Sequence, residues 1–440
     1  MTAPGKPQGR VLICAAEFPP VGGGGVLRVA KLAKHLPALG WQVTVACSEE
    51  PLGKAVDRTL LADIPGSVRI LRLRPPLGRI AARATAGTKI RLERRSNVYR
   101  FLVTARAAVR AAIAVPDRWL PWAATLARRS TADLGDPDVV VTSGPPHSAH
   151  IAGALIARRL GIPFVMDLRD EWSLRPLTRS HLPWRRAIEQ RAERWCMRRA
   201  ARVVVVSDIS AERYLARYPW LRGRVSVIPN GFDPADLPDP ESIVRDVAED
   251  DVTLGYAGTF QVGLDLAPLF GALARVLAEG DPNGRTARFV MLGAFTPEEA
   301  ELARHLIPGK ALSVEPFLPH REALARAARW DVLLVVADDG ASSLAGKIYE
   351  ALALRKPILV VAPEGPATRL VAAAGAGVSA RPGDTEGIST ALRRAMAMAR
   401  DPAFHGASDE FLRTFDRRLQ ASTWSGLLER LVQKDRIHAG

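Results

Sequence analysis

Cysteine is almost missing from this chain. Cys14, Cys47 and Cys196 are the only three in 440 residues, and no two form a CxxC pair. That argues against a disulfide-stapled scaffold and a thiolate zinc site, and it suits a reducing compartment. Long apolar runs are missing as well. No stretch reaches the roughly 18 consecutive apolar residues that a membrane span needs. The opening MTAPGKPQGR has no long apolar region ahead of a small-residue cleavage site. The apolar VLICAA after it therefore reads as a first strand, and a cytoplasmic location is expected. Aromatics make up only 6% of the chain. Those beside basic residues, Tyr99, Phe101 and the tryptophans of PDRWLPW, are too few to interleave with them as a nucleic-acid platform would require. No nucleic-acid partner is expected. There is no low-complexity tract and no internal repeat with a period of roughly 20–50 residues.

Acidic residues are scarce in one half only. The net charge is +15, yet residues 1–228 carry +21 and residues 229–405 carry −7. Between 69 and 129 stand fifteen basic residues, with Glu93 and Asp117 as the only acids. Such asymmetry points to an anionic partner for the first half, set against a plain arginine-rich solvated surface.

What the chain does have is the composition of a globular protein, 48% hydrophobic and 24% charged, at a length that suits two domains. Short apolar runs alternate with helical patterns: VLICAA (11–16), QVTVAC (42–47), VRILRL (68–73), DVVVTS (138–143), PFVMDL (163–168), RVVVVS (202–207) and VSVIPN (225–230). The pattern restarts with VTLGYAG (252–258), RFVMLG (288–293), LSVEPF (312–317), VLLVVA (332–337) and PILVVA (357–362). Between them, stretches such as LRVAKLAKHLPALG repeat apolar residues every three or four positions, with Gly40 and Gly280 where helices should stop. The alternation predicts an α/β protein with parallel sheets covered by helices on both faces. Twelve strands suit two doubly wound domains better than one sheet. The predicted bounds are 1–228, 229–405 and a C-terminal segment 406–440, with the Pro- and Asp-rich IPNGFDPADLPDPES near the first junction. Ligands of such sheets bind at the carboxyl ends of strands, so two domains facing each other make a cleft. Residues 78–130 interrupt the alternation with a basic helical insert, read either as a layer on an anionic membrane surface or as a helical lid on its own domain.

Several loops at strand ends carry chemistry. EFPPVGGGGVLR (17–28) joins the first strand to the first helix. Gly23 and Gly24 within it permit close backbone approach, and N–H groups at the helix start form an anion cradle. Glu49 and Glu50, past the second strand, keep a nicotinamide-dependent enzyme as a rival reading. TSGPPHSAH (142–150) brings His147 and His150 into a helix entry, where an imidazole can act as a base or polarise a sugar hydroxyl. FVMDLRDEW (164–172) places Asp167, Arg169, Asp170 and Trp172 at another strand end, with Asp167 and Arg169 on one face, a ready ion pair, if the strand continues. DPD at 136–138 has a metal-binding spacing but precedes its strand, on the wrong edge, and no other cluster suggests a metal.

GKIYE (346–350) is the most informative entry to a helix. Lys347 stands in the first turn, where the helix dipole repels a cation, and Glu350 follows at i+3. Such a pair contributes only about 0.2–0.5 kcal/mol and is in the less favourable order. An anion bound at the helix start would reverse that disadvantage: Gly346, Lys347 and the free N–H groups could hold a diphosphate, and Glu350 the ribose hydroxyls.

The order FPPVGGGGVLRVAKLAKHL, GPPHSAH, MDLRDEW, VVVSDISAERYL, VIPNGFD, LGYAGTF and GKIYEALALRKPIL resembles the GT-B glycosyltransferases, the family-4 group of retaining enzymes. The resemblance covers most of the chain. It implies two Rossmann-like domains, the first for the acceptor and the second for a nucleotide sugar, with a final helix (within 411–433) returning to the first. Glu350 matches the second glutamate of the family's E-x7-E motif; the first falls on Ser342. The Arg and Lys that many members carry after the first strand of the second domain are replaced by Gln261 and Leu264. Lys347 is then the best remaining cation for phosphate, with Arg169 or Arg28 as helpers. Catalytic roles are implied for His150, Asp167, Arg169 and Lys347. Nucleotide-sugar contacts are implied for Gly23, Gly24, Thr259, Gly346 and Glu350, with Phe317 and Leu318 at a strand end lining the base pocket. His147, Asp170, Trp172 and Arg28 are placed toward the acceptor. The expected partners are a nucleoside-diphosphate sugar as co-substrate, with no metal or other cofactor, and an acceptor glycan or lipid-linked saccharide at the inner face of the cell membrane. A small-molecule acceptor, an epimerase or phosphorylase of the same fold, and a non-catalytic nucleotide-binding protein are the alternatives.

Overall fold

The computed structural model describes residues 8–49, 56–74, 115–174, 183–243, 252–260, 263–280, 286–307, 309–337 and 346–439. The chain divides into two compact units, residues 1–229 with 420–440, and residues 230–419.

The first unit is built on seven parallel strands: β1 (Gly9–Cys14), β2 (Trp41–Ser48), β3 (Arg69–Leu73), β4 (Val139–Gly144), β5 (Phe164–Leu168), β6 (Arg202–Val205) and β7 (Val225–Val227), in the order β3-β2-β1-β4-β5-β6-β7. Runs of Val, Ile and Leu suit strands buried on both faces. Alternation along β1 divides them: Leu12 and Cys14 face one core, Val11 and Ile13 the other. Helices α1 (Gly24–His35), α2 (Leu120–Ala127), α3 (Ser148–Leu160), α4 (Pro183–Arg199) and α5 (Asp208–Arg217) cover the sheet. Pro37 stops α1, whose direction continues as a 3₁₀ turn to Leu39 before Gly40 adopts φ 87°.

The second unit has six parallel strands, β8 (Val252–Ala257), β9 (Ala287–Leu292), β10 (Leu312–Glu315), β11 (Val332–Val336), β12 (Ile358–Val361) and β13 (Gly377–Ala380), in the order β10-β9-β8-β11-β12-β13. Helices α6 (Ala267–Glu279), α7 (Pro297–Leu306), α8 (His320–Ala328), α9 (Gly346–Ala353), α10 (Pro366–Ala373) and α11 (Thr385–Met398) accompany them. Both sheets reverse direction of growth at one point, between β1 and β4 and between β8 and β11. Those are the switch points at which doubly wound sheets hold ligands.

All twelve expected strands are present, most a residue or two shorter than the apolar runs. β13, GVSA, was not expected: it is a four-residue edge strand, half-buried, with a Gly and a Ser in place of the β-branched signal. Helix α12 (Arg417–Ala439) ends the chain, and its Trp424, Leu427, Leu428 and Val432 join the first unit's core beside Val11 and Ile13. Trp41 Nε1 donates to Ser425 Oγ at 2.9 Å and pins it there. Residues 406–419, expected to start the return, lie in the second unit.

Of the basic insert 78–130, residues 78–114 lie outside the described residues. In the remainder, Trp122 and Leu126 are fully buried in the first unit's core. That part is a helix packed into the core of its own domain. Among the described residues, no helix is long and apolar enough to cross a membrane.

Candidate functional site

At the first unit's switch point, β4 ends at Gly144 and the chain turns through two prolines into α3. His150, the third residue of that helix after Ser148 and Ala149, is completely buried. Its Nδ1 lies 2.7 Å from Thr142 Oγ1, and its Nε2 has no hydrogen-bond partner among the described residues. The ring sits against Gly144, where any Cβ would collide with Nε2, so only glycine leaves room for it. Burial pushes the imidazole pKa down to about 3, a fall that Asp167 opposes and the positive Arg169 reinforces. His150 is therefore a neutral imidazole at physiological pH. His147 precedes it as the residue entering α3 and stacks on Trp172, with ring centroids 4.9 Å apart. Trp172 is held by its backbone N–H donating to Tyr214 Oη at 2.8 Å.

The N-terminus of α3 already has its anion. Ser148 N donates to Asp117 Oδ2 at 2.9 Å and Ser148 Oγ to Asp117 Oδ1 at 2.7 Å, so the lone acid near the insert's end caps the helix from 31 residues away. Sequence spacing gives no sign of this.

The expected Asp167–Arg169 pair does not form. β5 ends at Leu168, so the alternation that would put both on one face stops one residue too soon. Asp167 instead receives Arg28 Nε at 2.9 Å and Nη2 at 2.8 Å, and Ser143 Oγ at 2.9 Å. Arg28 is 6% exposed and also donates Nη1 to the Pro229 carbonyl at 2.9 Å. Arg28 is thus a buried ion-pair partner of Asp167. Arg169 donates to the carbonyls of Gly25 and Pro145. It thereby ties the glycine loop to the His147 turn, with Asp170 as a nearby charge. Gly23 and Gly24 stand exposed at the start of α1, and no side chain caps that helix. Asp136 and Asp138 lie at the amino edge of β4, where the Arg10 guanidinium is 3.9 Å and 3.6 Å away.

In the second unit, Lys347 occupies the first turn of α9, directly after Gly346, on the carboxyl side of β11. Its Nζ lies 5.3 Å above the Tyr256 ring of β8, a cation–π contact. The end of its side chain rests on Gly258, whose φ of 133° and lack of a Cβ make the approach possible. Among the described residues Lys347 has no hydrogen bond or ion pair. Burial pulls its pKa down to about 8, opposed by Glu350. Glu350, one turn on, has His320 Nε2 3.4 Å from Oε1, and the same nitrogen is 3.5 Å from Asp236 Oδ2. Thr259 is exposed beyond β8, and its carbonyl accepts from Tyr256 Oη at 2.7 Å. Phe317 and Leu318 were expected at a strand end. β10 stops at Glu315, which leaves both in the following loop, Phe317 exposed and Leu318 packed on the core beside α9.

Two neighbourhoods therefore assemble, one in each unit: His147, His150 and Trp172 with Thr142, and Gly346, Lys347 and Glu350 with Tyr256, Gly258 and His320. Thr142, Tyr256 and His320 were not singled out in the sequence. The first two lie inside strands whose apolar pattern hides them, and His320 opens an ordinary amphipathic helix.

Residues 23–231 match the model of the glycosyl transferase 4-like domain. No curated protein matches the chain in sequence. Among solved structures, sucrose-phosphate synthase from Thermosynechococcus elongatus is 15% identical, with 97% of this chain and 100% of that chain covered and a TM-score of 0.70. Anabaena HepE, solved in complex with UDP and glucose, is 16% identical over 96% of this chain and 100% of that one, with a TM-score of 0.65. A glycosyltransferase from Rickettsia africae is 14% identical over 96% and 98%, also with a TM-score of 0.65. At these identities the likeness is one of fold.

Proposed function

We propose that this chain, which has the GT-B fold and matches the glycosyl transferase 4-like domain over residues 23–231, transfers a sugar from a nucleoside diphosphate to an anionic or lipid-linked glycan acceptor, with retention. The observation that carries this reading is Lys347. An ammonium with a lowered pKa and no ion pair among the described residues, at the start of a helix beside a sheet's switch point, suits a diphosphate far better than it suits an empty fold. Glu350 then accepts hydrogen bonds from the ribose hydroxyls, and the loop holding Thr259 runs beside the phosphates.

Catalysis in this reading is electrostatic. Negative charge grows on the departing diphosphate, and Lys347 with the N–H groups of the first turn of α9 neutralises it. A carboxylate nucleophile is not invoked. Asp167, the acid beside His150, is committed to Arg28 and Ser143. A phosphate oxygen of the leaving group takes the acceptor proton. His150, neutral and with its buried Nε2 unpaired among the described residues, hydrogen-bonds a sugar hydroxyl, while Thr142 fixes the ring and the buried stack of His147 on Trp172 braces the loop beside it. The reading calls for no metal, so activity is expected to persist in chelator. The excess of positive charge in residues 1–228 favours an anionic acceptor over a neutral small molecule and suits a peripheral place at the inner membrane face.

The test is a transfer assay with UDP-, GDP-, ADP- and TDP-sugars and a bacterial lipid-linked saccharide extract, with the anomeric configuration of the product read by NMR. UDP-sugars come first, because Anabaena HepE, similar in fold, was solved with UDP and glucose. Consumption of one nucleotide class with retained configuration supports the proposal. An inverted product would overturn the retaining mechanism, and no consumption of any donor would overturn the transfer.

A further inference from the structure

Helices α2, α3 and α4 pack on one face of the first unit's sheet, the face of Leu12 and Cys14. Over their residues stand eight arginines and two acids, Glu189 and Glu193. Both acids are buried. Glu189 is 3.1 Å from Arg185, and Glu193 receives Ser173 N, Ser173 Oγ and Tyr218 Oη at 2.7–2.8 Å. The outer surface of this layer thus presents positive charge alone.

Large apolar side chains stand on the same surface. In α4, Trp184 is 46% exposed and Ile188 45% exposed. They sit at i and i+4, and Arg191 and Arg198 continue the stripe at i+7 and i+14. Trp195, at i+11, is half-buried with the Arg199 guanidinium 4.0 Å above its ring. The buried side of α4 carries Cys196 and Met197, so the helix is anchored without the exposed pair. Their exposure therefore calls for a partner. Exposed Trp and Ile rimmed by arginine, with no acid at the surface, match an interface whose headgroups are negative and whose interior is hydrocarbon.

We propose that the outer face of α4, led by Trp184 and Ile188, docks the protein on an anionic lipid bilayer. α4 starts at the carboxyl edge of the sheet, because it follows β5 in a parallel order, and Trp172 and His147 lie at that edge. Arg185 Nη2 donates to the Pro116 carbonyl at 3.4 Å, which ties the start of α4 to the segment entering α2 beside the Asp117 cap. Docking would bring a lipid-borne acceptor to the edge that holds the histidines. That consequence rests on the proposed function, whereas the docking itself does not.

The test is cosedimentation of the full-length protein with phosphatidylglycerol-containing and pure phosphatidylcholine vesicles, at low and high salt. The wild type is expected to partition at least roughly tenfold more onto the anionic vesicles and to be released by salt. Trp184→Ala with Ile188→Ala, and separately Arg191→Glu with Arg198→Glu, are each expected to lower partition roughly tenfold with an unchanged melting temperature and unchanged UDP binding. Failure of the wild type to bind anionic vesicles, or variants that bind as it does, overturns the proposal. So does salt-sensitive binding of RNA without vesicle binding. UDP binding in the same preparations reports on the nucleotide site separately, so the two readings can fail independently.

Discussion

Replacing Lys347 with methionine is expected to make the unliganded protein more stable while removing its nucleotide binding. Burial brings this lysine from the ordinary value of 10.5 down to about 8. At about 1.4 kcal/mol per pH unit, keeping it charged in the fold costs about 3 kcal/mol at neutral pH. Methionine retains the apolar stem and removes that cost. It also loses the cation–π contact with Tyr256, about 0.5–2 kcal/mol. The net gain is about 1–2 kcal/mol, or a rise of about 2–8 °C in the melting of the second unit. The pH dependence makes the test sharper. Because the folded pKa lies below the unfolded one, between about pH 8 and 10.5 the unfolded chain holds a proton that the folded chain has released. Wild-type stability from this group is lowest below pH 8 and rises across that window, so the variant's advantage shrinks as pH rises. Urea denaturation of both proteins at about pH 7 and about pH 10 measures it. A variant less stable than wild type at neutral pH, or an advantage indifferent to pH, would refute the reasoning.

Three further outcomes are expected. Nucleoside diphosphate binding needs the charged lysine, so affinity should be level well below pH 8 and weaken about tenfold per pH unit above it, with proton uptake visible by calorimetry in buffers of different ionisation enthalpy. Asp167→Asn leaves the Arg28 guanidinium buried without its counter-charge and should cost about 3–5 kcal/mol, read from the denaturation midpoint. His150→Ala should lower kcat without weakening UDP binding, and the wild-type pH–rate curve should lack a limb at the ordinary histidine value of 6.5, because His150 titrates near 3.

The sheets were legible because their strands are fully buried and spelled in Val, Ile and Leu, a signal strong enough to place twelve of thirteen. β13 escaped because an edge strand needs no such run. In the site, what could be read was local. Lys347 and Glu350 share one helix turn, and the awkward placing of the lysine against the helix dipole was itself the clue. What could not be read was long-range partnership. Arg28 reaches Asp167 from 139 residues away, and the nearer candidate, Arg169, was assigned to it on a strand periodicity that ends at Leu168. Asp117 reads as a stray acid in a basic insert, whereas α3 starts on it. Tyr256 and Gly258 flank Lys347 only because β8 and β11 are neighbours in the sheet, a fact of topology that no spacing contains.

Calorimetric titration of UDP, and of GDP, ADP and TDP, into wild type and Glu350→Ala tests the central claim most directly. The account predicts that one nucleotide binds the wild type and that the variant, with an unchanged melting profile, binds it about tenfold or more weakly, as loss of hydrogen bonds to a charged acceptor requires. Equal affinity in the two proteins, or no binding of any of the four to wild type, would contradict it.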